Sequence, residues 1–560
     1  MSSAAAFGLL ALCLIVPSQG ALATPPKAGS RTLTGVAFSG GGSRAYVAAL
    51  GQLQALRELG LLDKVDHIAG VSGGAWASAV NTVSDGISSP LVSPTALDLA
   101  ELMAIPAHNV PAHLAVCRTS ILASAARILL YEGRSPYKAW RAAVHATFLA
   151  PLGLEERATL TSALRGNGQA RPAVHLGVTV LGEASAAPFA LAERRFACID
   201  CSSDGARLIG GEPYLPPSAA SPPKLPSIPL ADALAMSSFF PGAPLQTEPS
   251  AAASGHGEPS GGWDDLVARI VSQLRRAAGS WVRVSLPNVM WQGTRSGGGG
   301  GSGGGGGSGS SQLLLGDGGS VTNLPLPLLL SHGTRRCVCL INVGERLPSR
   351  HEWDPYASPL PPAGVPFCED LAALFGLHPP SLNPSKDLSN SQCFSPSGFA
   401  DLVAALQDSA AEGCGAFAVT RLTTVANDWW HIQGGEECTV AWSYIGRAPK
   451  WEAQLPDRVR STLPAPPPVP GDTTSRDSEA ASSMPASLLG DASRASVARY
   501  VMTLFVDAIS RQSKLLDAFP QYPLTRLQLS AAEANALYQL TGWSLSQRED
   551  ELAALFREDE

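Results

Sequence analysis

The stretch GVSGGAW, residues 70–76, carries residue types that covalent catalysis needs. It contains the pattern G-x-S-x-G, in which a serine lies on a tight turn between a strand and a helix. Such a turn lifts the Ser72 hydroxyl clear of the sheet and places it at a helix N-terminus, where free N–H groups favour negative charge. An N-cap serine followed by a Gly-Gly turn would give the same pattern. The chemistry that this stretch predicts is nucleophilic attack by a serine.

A second glycine-rich stretch, GVAFSGGGSRAY, runs from a short apolar strand through three consecutive glycines into a helix. Gly40, Gly42 and Ala45 satisfy the dinucleotide-binding template G-x-G-x-x-[GA]. Asp63 or Asp66 follows at the spacing of about 20 residues expected for the acid of that template. That acid belongs at the end of the second strand, whereas both aspartates precede the apolar segment HIAGV. A nucleotide site is therefore the weaker of two interpretations.

The stronger interpretation is that this loop binds the oxyanion formed when Ser72 attacks an ester. Where one helix joins two adjacent parallel strands, the loop after the first strand and the turn after the second lie side by side at the carboxyl edge of the sheet. We therefore expect the backbone N–H groups of Gly41 and Gly42 beside Ser72. Such donors form an oxyanion hole, and loss of one donor typically slows the reaction by about 10²–10³-fold.

A serine nucleophile needs a base, and the stretch LLLGDGGSVTNLPLPLLL supplies Asp317 at the end of an apolar strand. A carboxylate buried near Ser72 can accept the hydroxyl proton directly. An aspartate before two glycines is also a common turn residue. A conventional triad would instead take a histidine that follows the acid. The candidates for that histidine are His332, His351, His378 and His431.

The elements that must position these residues alternate between strands and helices. Residues 31–80 have the pattern of strand, glycine loop, helix, strand, turn and helix, and VHLGVTVL at 174–181 is another core strand. Residues 101–152 and 228–245 have helical patterns, and residues 493–560 are typical of helices with an acidic tail. This alternation predicts an α/β fold with a central, mainly parallel sheet that helices cover on both faces.

Size, composition and charge are those of a large globular chain. The 560 residues are 45% apolar and 16% charged, against about 25% charged in an average soluble protein, so a sizeable core is feasible. The net charge of −7 argues against a nucleic-acid partner. We expect one catalytic domain over residues 31–560, interrupted by flexible inserts at 246–262, 297–311 and 462–492. The second insert is almost pure Gly and Ser.

The N-terminus, residues 1–23, is typical of a secretory signal peptide. An apolar run from Ala4 to Val16 precedes small residues at Ala21 and Ala23, although the run has no Lys or Arg before it. We expect secretion or entry into the endomembrane lumen. The alternative is a cytoplasmic or organellar protein that contacts membranes peripherally. No later stretch is long and apolar enough to predict a transmembrane span in the mature chain.

The ten cysteines give no metal-binding pattern. Cys337 and Cys339 lie two residues apart on one predicted strand, so both point to one face and are expected to pack in the core. Cys198 and Cys201 fit a local disulfide as well as two ordinary thiols. Neither pair has partners at zinc-finger spacing. The sequence therefore predicts no metal and no cofactor.

Taken together, three motifs resemble those of a known enzyme group. SGGGSRA, GVSGGAW and GDGGSVTNLPLPLLL occur in the order found in the cytosolic phospholipase A2 and fungal phospholipase B (lysophospholipase) group, which is related to patatin. SSFFPG at 237–242 is similar to the serine-rich segment of patatin-like enzymes. FPQYPLTRLQLSAAEANALYQLTGW at 519–543 is similar to the closing segment of the group. The resemblance thus extends over residues 33–543.

The resemblance implies a three-layer αβα patatin-like fold with helical cap insertions and a phospholipase or lysophospholipase activity. Ser72 matches the nucleophile of the group, and Asp317 matches its dyad partner, so no histidine is required. Gly41 and Gly42 match the oxyanion glycines, and Arg44 matches the arginine that faces the lipid phosphate. The implied substrate is a phospholipid or lysophospholipid at a membrane or micelle surface, cleaved through an acyl-serine intermediate.

Two other functions stay open. One is an α/β-hydrolase-type esterase with a Ser-His-Asp triad, and the other is a non-catalytic patatin-like protein that binds or stores lipid. A large substrate at a membrane surface would explain a lid built from the helices between Glu101 and Leu152. The aromatic pair Trp429 and Trp430 and the apolar residues of NLPLPLLL are expected in the core.

Overall fold

One mixed sheet organises the chain. The computed structural model describes residues 31–84, 89–118, 120–132, 136–159, 172–183, 195–200, 205–209, 228–238, 293–294, 310–311, 313–378, 388–464, 516, 518–524 and 526–557. The strands of the sheet within these ranges are β1 (Thr34–Phe38), β2 (His67–Val71), β3 (Ala173–Glu183), β4 (Arg195–Asp200), β5 (Gly205–Ile209), β6 (Leu313–Asp317), β7 (Arg336–Ile341), β8 (Ala416–Thr423) and β9 (Glu437–Tyr444).

Helices lie on both faces of this sheet. Those in the described ranges are α1 (Gly42–Glu58), α2 (Gly73–Val83), α3 (Leu99–Met103), α4 (Ala115–Arg118), α5 (Ile121–Tyr131), α6 (Pro136–Val144), α7 (Leu230–Ser237), α8 (Leu326–Ser331), α9 (Glu369–Ala373), α10 (Phe399–Ala411), α11 (Pro449–Gln454), α12 (Asp457–Arg460), α13 (Ala531–Ser546) and α14 (Glu549–Leu555). A π-helical turn at His145–Leu149 follows α6.

The centre of the sheet is parallel and its flanks are antiparallel. The strand order is β8-β9-β7-β1-β2-β3-β4-β5. Strands β9, β7, β1, β2 and β3 pair in parallel, whereas β8 pairs antiparallel with β9, β4 with β3, and β5 with β4. The predicted α/β class with a mainly parallel central sheet is confirmed.

The sheet separates two apolar layers. Every residue of β1 is buried, as expected for a strand that is covered on both faces. Because successive side chains point to opposite faces, Val36 and Phe38 join an apolar cluster with α1, α2 and α13, while Ala37 joins a second cluster with α8, α9 and α10. This is the three-layer αβα arrangement that the resemblance implies.

Two strands share one edge of β3, end to end. β2 pairs with the first half of β3 and ends with Val71 opposite Gly177. β6 pairs antiparallel with the second half and ends with Asp317 opposite Val178. β4 pairs with the other edge of β3 along both halves. Because β2 and β6 run toward each other on the same edge, their carboxyl ends meet at neighbouring residues of β3.

The C-terminal helix α13 packs closely across α1. A Cβ at Gly51 of α1 would overlap the carbonyl oxygen of Tyr538 and lie 2.6 Å from Oγ1 of Thr541. The Thr541 hydroxyl donates a hydrogen bond of 3.1 Å to the carbonyl of Ala48. A Cβ at Gly542 would lie 2.9 Å from the Gly51 carbonyl oxygen. Facing glycines therefore allow the two backbones to approach. The helical prediction for residues 493–560 is confirmed for Ala531–Ser546 and Glu549–Leu555, whereas the described residues between 516 and 530 are not helical.

The described residues within 101–152 are mostly helical, as predicted, apart from a non-helical stretch at 104–111, and their buried apolar side chains pack into the main core. The ring centroid of Phe148 lies 4.7 Å from that of Tyr46 in α1 and 4.6 Å from that of Trp76 in α2. All three side chains are almost fully buried. This packing is that of a structural layer, and the lid stays a prediction.

Core predictions for several smaller motifs are confirmed. Cys337 and Cys339 are fully buried in the same apolar layer, and no disulfide joins two cysteines of the described ranges. Cys201 lies outside those ranges. Trp430 is fully buried, Trp429 packs partly buried against the same layer, and the apolar residues of α8 are in the core.

Other predictions fall on residues that the structure does not describe. These are the leader at 1–23 and most of the inserts at 246–262, 297–311 and 462–492. Of the second insert, Ser310–Ser311 pairs with Gly293–Thr294. The extent of one domain over 31–560 stays a prediction. In the part of the chain that is described, no helix has the length and hydropathy required to span a bilayer.

We expect Gly51→Ala to lower the thermal midpoint of unfolding. Alanine at a helix interior normally stabilises by about 0.5–1 kcal/mol, but here the methyl group would force α1 and α13 apart. Overpacking of this kind costs about 1–3 kcal/mol. The matched control is Gly446→Ala, where the nearest atom that a Cβ would meet is 4.0 Å away. Differential scanning fluorimetry of both variants checks this, and an unchanged or higher midpoint for Gly51→Ala would contradict it.

Candidate active site

The strand β2 ends in a strained turn that carries Ser72. Ser72 has φ 53° and ψ −120°, a conformation that costs a residue with a side chain about 1–3 kcal/mol and is found at functional sites. The two residues that follow Ser72 must be glycines because there is no room for a side chain at either position. A Cβ at Gly73 would overlap the carbonyl oxygen of Gly42, and a Cβ at Gly74 would overlap that of Phe38. The turn after β2 therefore lies directly against the glycine loop after β1, with Ser72 as the N-cap residue of α2.

The structure brings Ser72 and Asp317 together. The Ser72 hydroxyl donates a hydrogen bond of 3.0 Å to Oδ2 of Asp317. The other carboxylate oxygen, Oδ1, accepts a hydrogen bond of 2.8 Å from the Gly319 amide, and the Asp317 carbonyl accepts one of 2.8 Å from the Thr179 hydroxyl. Ser72 is 5% and Asp317 8% exposed. The carboxylate is thus held in place and lies within reach of the hydroxyl proton.

The glycine loop presents the N-terminus of α1 to this pair. Gly41 is the N-cap residue with φ 136°, and Gly42 begins the helix with φ 60°, both in the region that favours glycine. The first four N–H groups of a helix have no acceptor within that helix, so this end attracts negative charge. A Cβ at Gly40 would lie 3.5 Å from the Cβ of Ser72. The loop that contains the predicted oxyanion glycines therefore lies beside the predicted nucleophile.

Ser237, at the end of α7, accepts hydrogen bonds from the turn that carries Ser72. The Ser72 amide donates to both the carbonyl and the hydroxyl oxygen of Ser237, each at 3.2 Å. The Ser237 hydroxyl donates in turn a hydrogen bond of 2.7 Å to the Gly177 carbonyl on β3. Ser237 belongs to the segment SSFFPG, whose resemblance to patatin-like enzymes was the signal for it. Sequence analysis assigned it no role.

Asn323 joins the glycine loop to the acid turn, and sequence analysis missed it. The Oδ1 atom of Asn323 lies 2.5 Å from the position that a Cβ would take at Gly40 and at Gly319. The backbone carbonyl of Asn323 accepts a hydrogen bond of 2.9 Å from the Gly40 amide. Its backbone amide donates one of 2.8 Å to Oδ1 of buried Asp370. No local pattern singles out an asparagine that precedes an apolar helix.

Arg44 lies under the loop and binds backbone carbonyls. Its Nε donates a hydrogen bond of 3.0 Å to the Asn342 carbonyl, and its Nη1 donates to the Tyr522 carbonyl. Arg44 is 3% exposed. Burial lowers the pKa of its guanidinium to about 10, an effect that nearby Glu345 partly offsets, so the group is a cation at neutral pH. A fixed positive charge therefore lies below the N-terminus of α1.

A nucleotide site would require an acid beside the glycine loop, and a Ser-His-Asp triad would require a histidine beside Asp317. Asp66 accepts hydrogen bonds from the Thr34 amide at 2.9 Å and the Thr34 hydroxyl at 3.0 Å. It lies at the amino ends of β1 and β2, away from the glycine loop, which does not fit a ribose-binding acid. The His332 ring packs against that of His175 with centroids 3.9 Å apart and planes tilted by 41°. The other histidines proposed for a triad, His351, His378 and His431, are exposed.

Short segments of the chain are similar to cytosolic phospholipases A2, although no known family model matches it. Over 39 residues it is 64% identical to cytosolic phospholipase A2 gamma of Mus musculus, which covers 7% of this chain and 6% of that protein. Over 60 residues it is 45% identical to the gamma enzyme of Homo sapiens, 11% of each. Over 41 residues it is 56% identical to cytosolic phospholipase A2 beta of Homo sapiens, 7% of this chain and 5% of that protein. These segments confirm the resemblance to cytosolic phospholipases A2.

Solved structures of human GIVD cytosolic phospholipase A2 are also similar to the chain. One, in complex with methyl gamma-linolenyl fluorophosphonate inhibitor and terbium chloride, is 13% identical with a TM-score of 0.38. Another, with methyl gamma-linolenyl fluorophosphonate, is 14% identical with a TM-score of 0.37. Each similarity covers 94% of this chain and 59% of the other.

We expect Ser237→Ala to slow covalent labelling of Ser72 by a fluorophosphonate probe roughly 2- to 10-fold, since one hydrogen bond contributes about 0.5–1.5 kcal/mol. The variant removes the hydroxyl that ties the turn to β3. Labelling rates measured by intact-protein mass spectrometry check this. The control is Ser238→Ala, whose hydroxyl donates to the Leu234 carbonyl instead. Equal slowing in both variants would contradict a specific role for Ser237.

Proposed function

We propose that this chain is a serine acyl-ester hydrolase of glycerophospholipids or lysophospholipids. The observation that carries the proposal is the 3.0 Å hydrogen bond from the Ser72 hydroxyl to the buried Asp317 carboxylate, beside the N-terminus of α1. The named activity of the relatives supports a phospholipid as the substrate. Hydroxyl, carboxylate and N–H donors are the three groups that acyl transfer through a serine needs.

In the first step, Ser72 Oγ attacks the carbonyl carbon of the ester and its proton passes to Asp317 Oδ2. Proton transfer to a positioned side chain typically contributes about 10²–10⁴-fold to the rate. The carbonyl oxygen becomes an oxyanion, which the N–H groups of Gly41 and Gly42 stabilise together with the dipole of α1. The tetrahedral intermediate then expels the glycerol oxygen. That oxygen takes the proton from Asp317, which leaves an acyl-serine and a carboxylate.

In the second step, water hydrolyses the acyl-serine. Asp317 accepts a proton from the water while the hydroxide attacks the acyl carbon, and the same N–H groups stabilise the new oxyanion. Collapse of this intermediate releases the fatty acid, and Ser72 recovers its proton from Asp317. Through both steps, the Gly319 amide holds the Asp317 carboxylate and the Thr179 hydroxyl holds the Asp317 backbone carbonyl. A single carboxylate serves as base twice, so the cycle needs no histidine.

We propose that Arg44 acts mainly by holding the glycine loop and the first turn of α1 in position. Its bonds to the Asn342 and Tyr522 carbonyls fix the first turn of α1 against the strand β7 and the C-terminal segment. Its positive charge lies where it favours a negative charge at Gly41 and Gly42. The sequence prediction that Arg44 also contacts a lipid phosphate stays a prediction, and the two roles give different kinetics.

We further propose that the chain acts in the cytoplasm, with peripheral contact to membranes. The relatives are named cytosolic. No disulfide joins two of the cysteines that the structure describes, which fits a reducing compartment. Fractionation of cells that express the full chain with a C-terminal tag tests this, because recovery of the chain in the secretory lumen would support the signal peptide at residues 1–23.

Incubation of phospholipids and lysophospholipids with Ser72→Ala and Asp317→Asn tests the proposed reaction. We expect each variant to release fatty acid at least about 10³-fold more slowly than the wild type, because each removes a group that takes part in bond making. Mass spectrometry measures the released acid. Matched controls are Ser238→Ala and Asp401→Asn, which lie outside the site. Unchanged hydrolysis by Ser72→Ala would favour the non-catalytic lipid-binding alternative.

Replacement of Arg44 separates positioning from phosphate recognition. If Arg44 fixes the loop, Arg44→Gln lowers kcat about 10- to 100-fold on a phospholipid and on a neutral glyceride with the same acyl chains. The expected size follows from about 1.5–3 kcal/mol for hydrogen bonds made by a charged group. Arg44→Lys retains the charge and should recover part of the loss. A rise in KM on the phospholipid alone would instead support direct contact with its phosphate.

A further inference from the structure

The strongest feature that the proposed reaction leaves unused is a cluster of histidine and cysteine side chains on the face of the sheet that carries the second apolar cluster. We propose that His175, Cys198 and His332 bind a zinc ion. One ligand atom from each of the three residues lies within 4.8 Å of those of the other two. Two imidazoles and a thiolate are ligands that Zn²⁺ accepts and that Ca²⁺ or Mg²⁺ does not favour.

Strand register and helix packing bring the three residues together. His175 of β3 lies opposite Ala69 of β2, and Cys198 of β4 lies opposite Gly177, two residues further along β3. Both side chains therefore point to the face that carries Ala69 and Cys198 in the second apolar cluster. His332 follows α8, which packs on that same face. Because each ligand comes from a different element, the folded chain presents them without further ordering.

The separation of one sulfur–nitrogen pair fits a tetrahedral ion closely, and the other ligand atoms lie within 4.8 Å. Cys198 Sγ lies 3.9 Å from His175 Nδ1, and the rings of His175 and His332 have centroids 3.9 Å apart. With Zn–N of about 2.0–2.1 Å and Zn–S of about 2.3 Å, tetrahedral ligand atoms are roughly 3.4–3.6 Å apart. The side chains must therefore close by only a few tenths of an ångström around the ion at the sulfur–nitrogen pair.

Hydrogen bonds orient the two imidazoles for this role. The Leu328 carbonyl accepts a hydrogen bond of 2.7 Å from His332 Nδ1, so Nδ1 carries the proton and Nε2 has the lone pair for a metal. His175 Nε2 lies 2.8 Å from Nδ1 of His67. Donation from His175 to His67 leaves the lone pair on His175 Nδ1, the nitrogen that faces Cys198. Metal-binding histidines are commonly held in this way through their second nitrogen.

Burial gives the ion a structural role. His175 is 1% exposed and Cys198 is fully buried, so an ion bound between them would be shielded from water. An ion here would tie β3 and β4 to the end of α8. Cys198 lies opposite Gly177, which in turn lies opposite Val71, the residue before Ser72, so its backbone lies two strand spacings, about 10 Å, from the end of β2. The proposed zinc stabilises the sheet from the face that carries the second apolar cluster.

Cobalt binding to the full chain tests the site. The protein is purified with a thiol reductant, stripped with a chelator, freed of chelator and titrated with Co²⁺ alone. We expect uptake of one ion per chain at this site, with a thiolate-to-cobalt charge-transfer band that Zn²⁺ abolishes by displacement. Cys198→Ser should lose the band, while Cys339→Ser, a fully buried thiol in the same apolar layer, should keep it. This readout does not depend on the proposed hydrolase activity.

A second variant keeps the test decisive if Cys198→Ser does not fold. His332 is partly exposed at a helix end, so His332→Ala should fold and bind Co²⁺ at least about 10-fold more weakly. Its control, His351→Ala at an exposed position, should bind like the wild type. Zinc should also raise the thermal midpoint of the wild type more than that of His332→Ala. No cobalt uptake by the wild type, an unchanged band in folded Cys198→Ser, or a Cys198–Cys201 disulfide under these conditions would overturn the proposal.

Discussion

The candidate site depends on how β3 shares one edge between two strands that run toward each other. β2 ends opposite Gly177 and β6 ends opposite Val178. This places Ser72 Oγ 3.0 Å from Asp317 Oδ2, although the two residues are 245 positions apart in the chain. A carboxylate on a neighbouring parallel strand would lie beside the serine, one strand spacing of about 4.8 Å away. The antiparallel direction of β6 makes the two chain ends face each other, and the register leaves little freedom in their separation.

A second constraint is close backbone contact between the loop after β1 and its surroundings. Gly42 lies against Gly73 of the serine turn on one side, and a Cβ at Gly42 would lie 2.8 Å from a methyl group of Leu527 on the other. The Ser43 hydroxyl donates a hydrogen bond of 2.7 Å to the Leu527 carbonyl. The C-terminal segment therefore completes the wall of a site whose reactive groups come from the first third and the middle of the chain. Rigid support of this kind is what preorganised N–H donors require.

Residues that position the site were harder to find in the sequence than the residues proposed to react with the ester. Asn323 and Ser237 lie in recognised motifs but are common residue types, and their roles arise from contacts with the glycine loop, the acid turn and β3. The cluster of His175, Cys198 and His332 was missed for the same reason, since its members come from three elements with no metal-binding spacing. Asp66, by contrast, was correctly separated from the glycine loop by its position before a strand.

The sequence by itself determined the order of strands and helices around the three motifs, the α/β class with a mainly parallel sheet, and the burial of Cys337, Cys339 and Trp430. These properties follow from hydrophobic periodicity and from glycine and proline positions, which act over a few residues. Only the tertiary structure decided that β6 runs antiparallel and meets β2 end to end, that Arg44 binds backbone carbonyls, and that three histidine rings pack together beside Cys198. Strand direction and side-chain contacts between distant segments depend on how whole layers pack, and no short stretch of sequence encodes that packing.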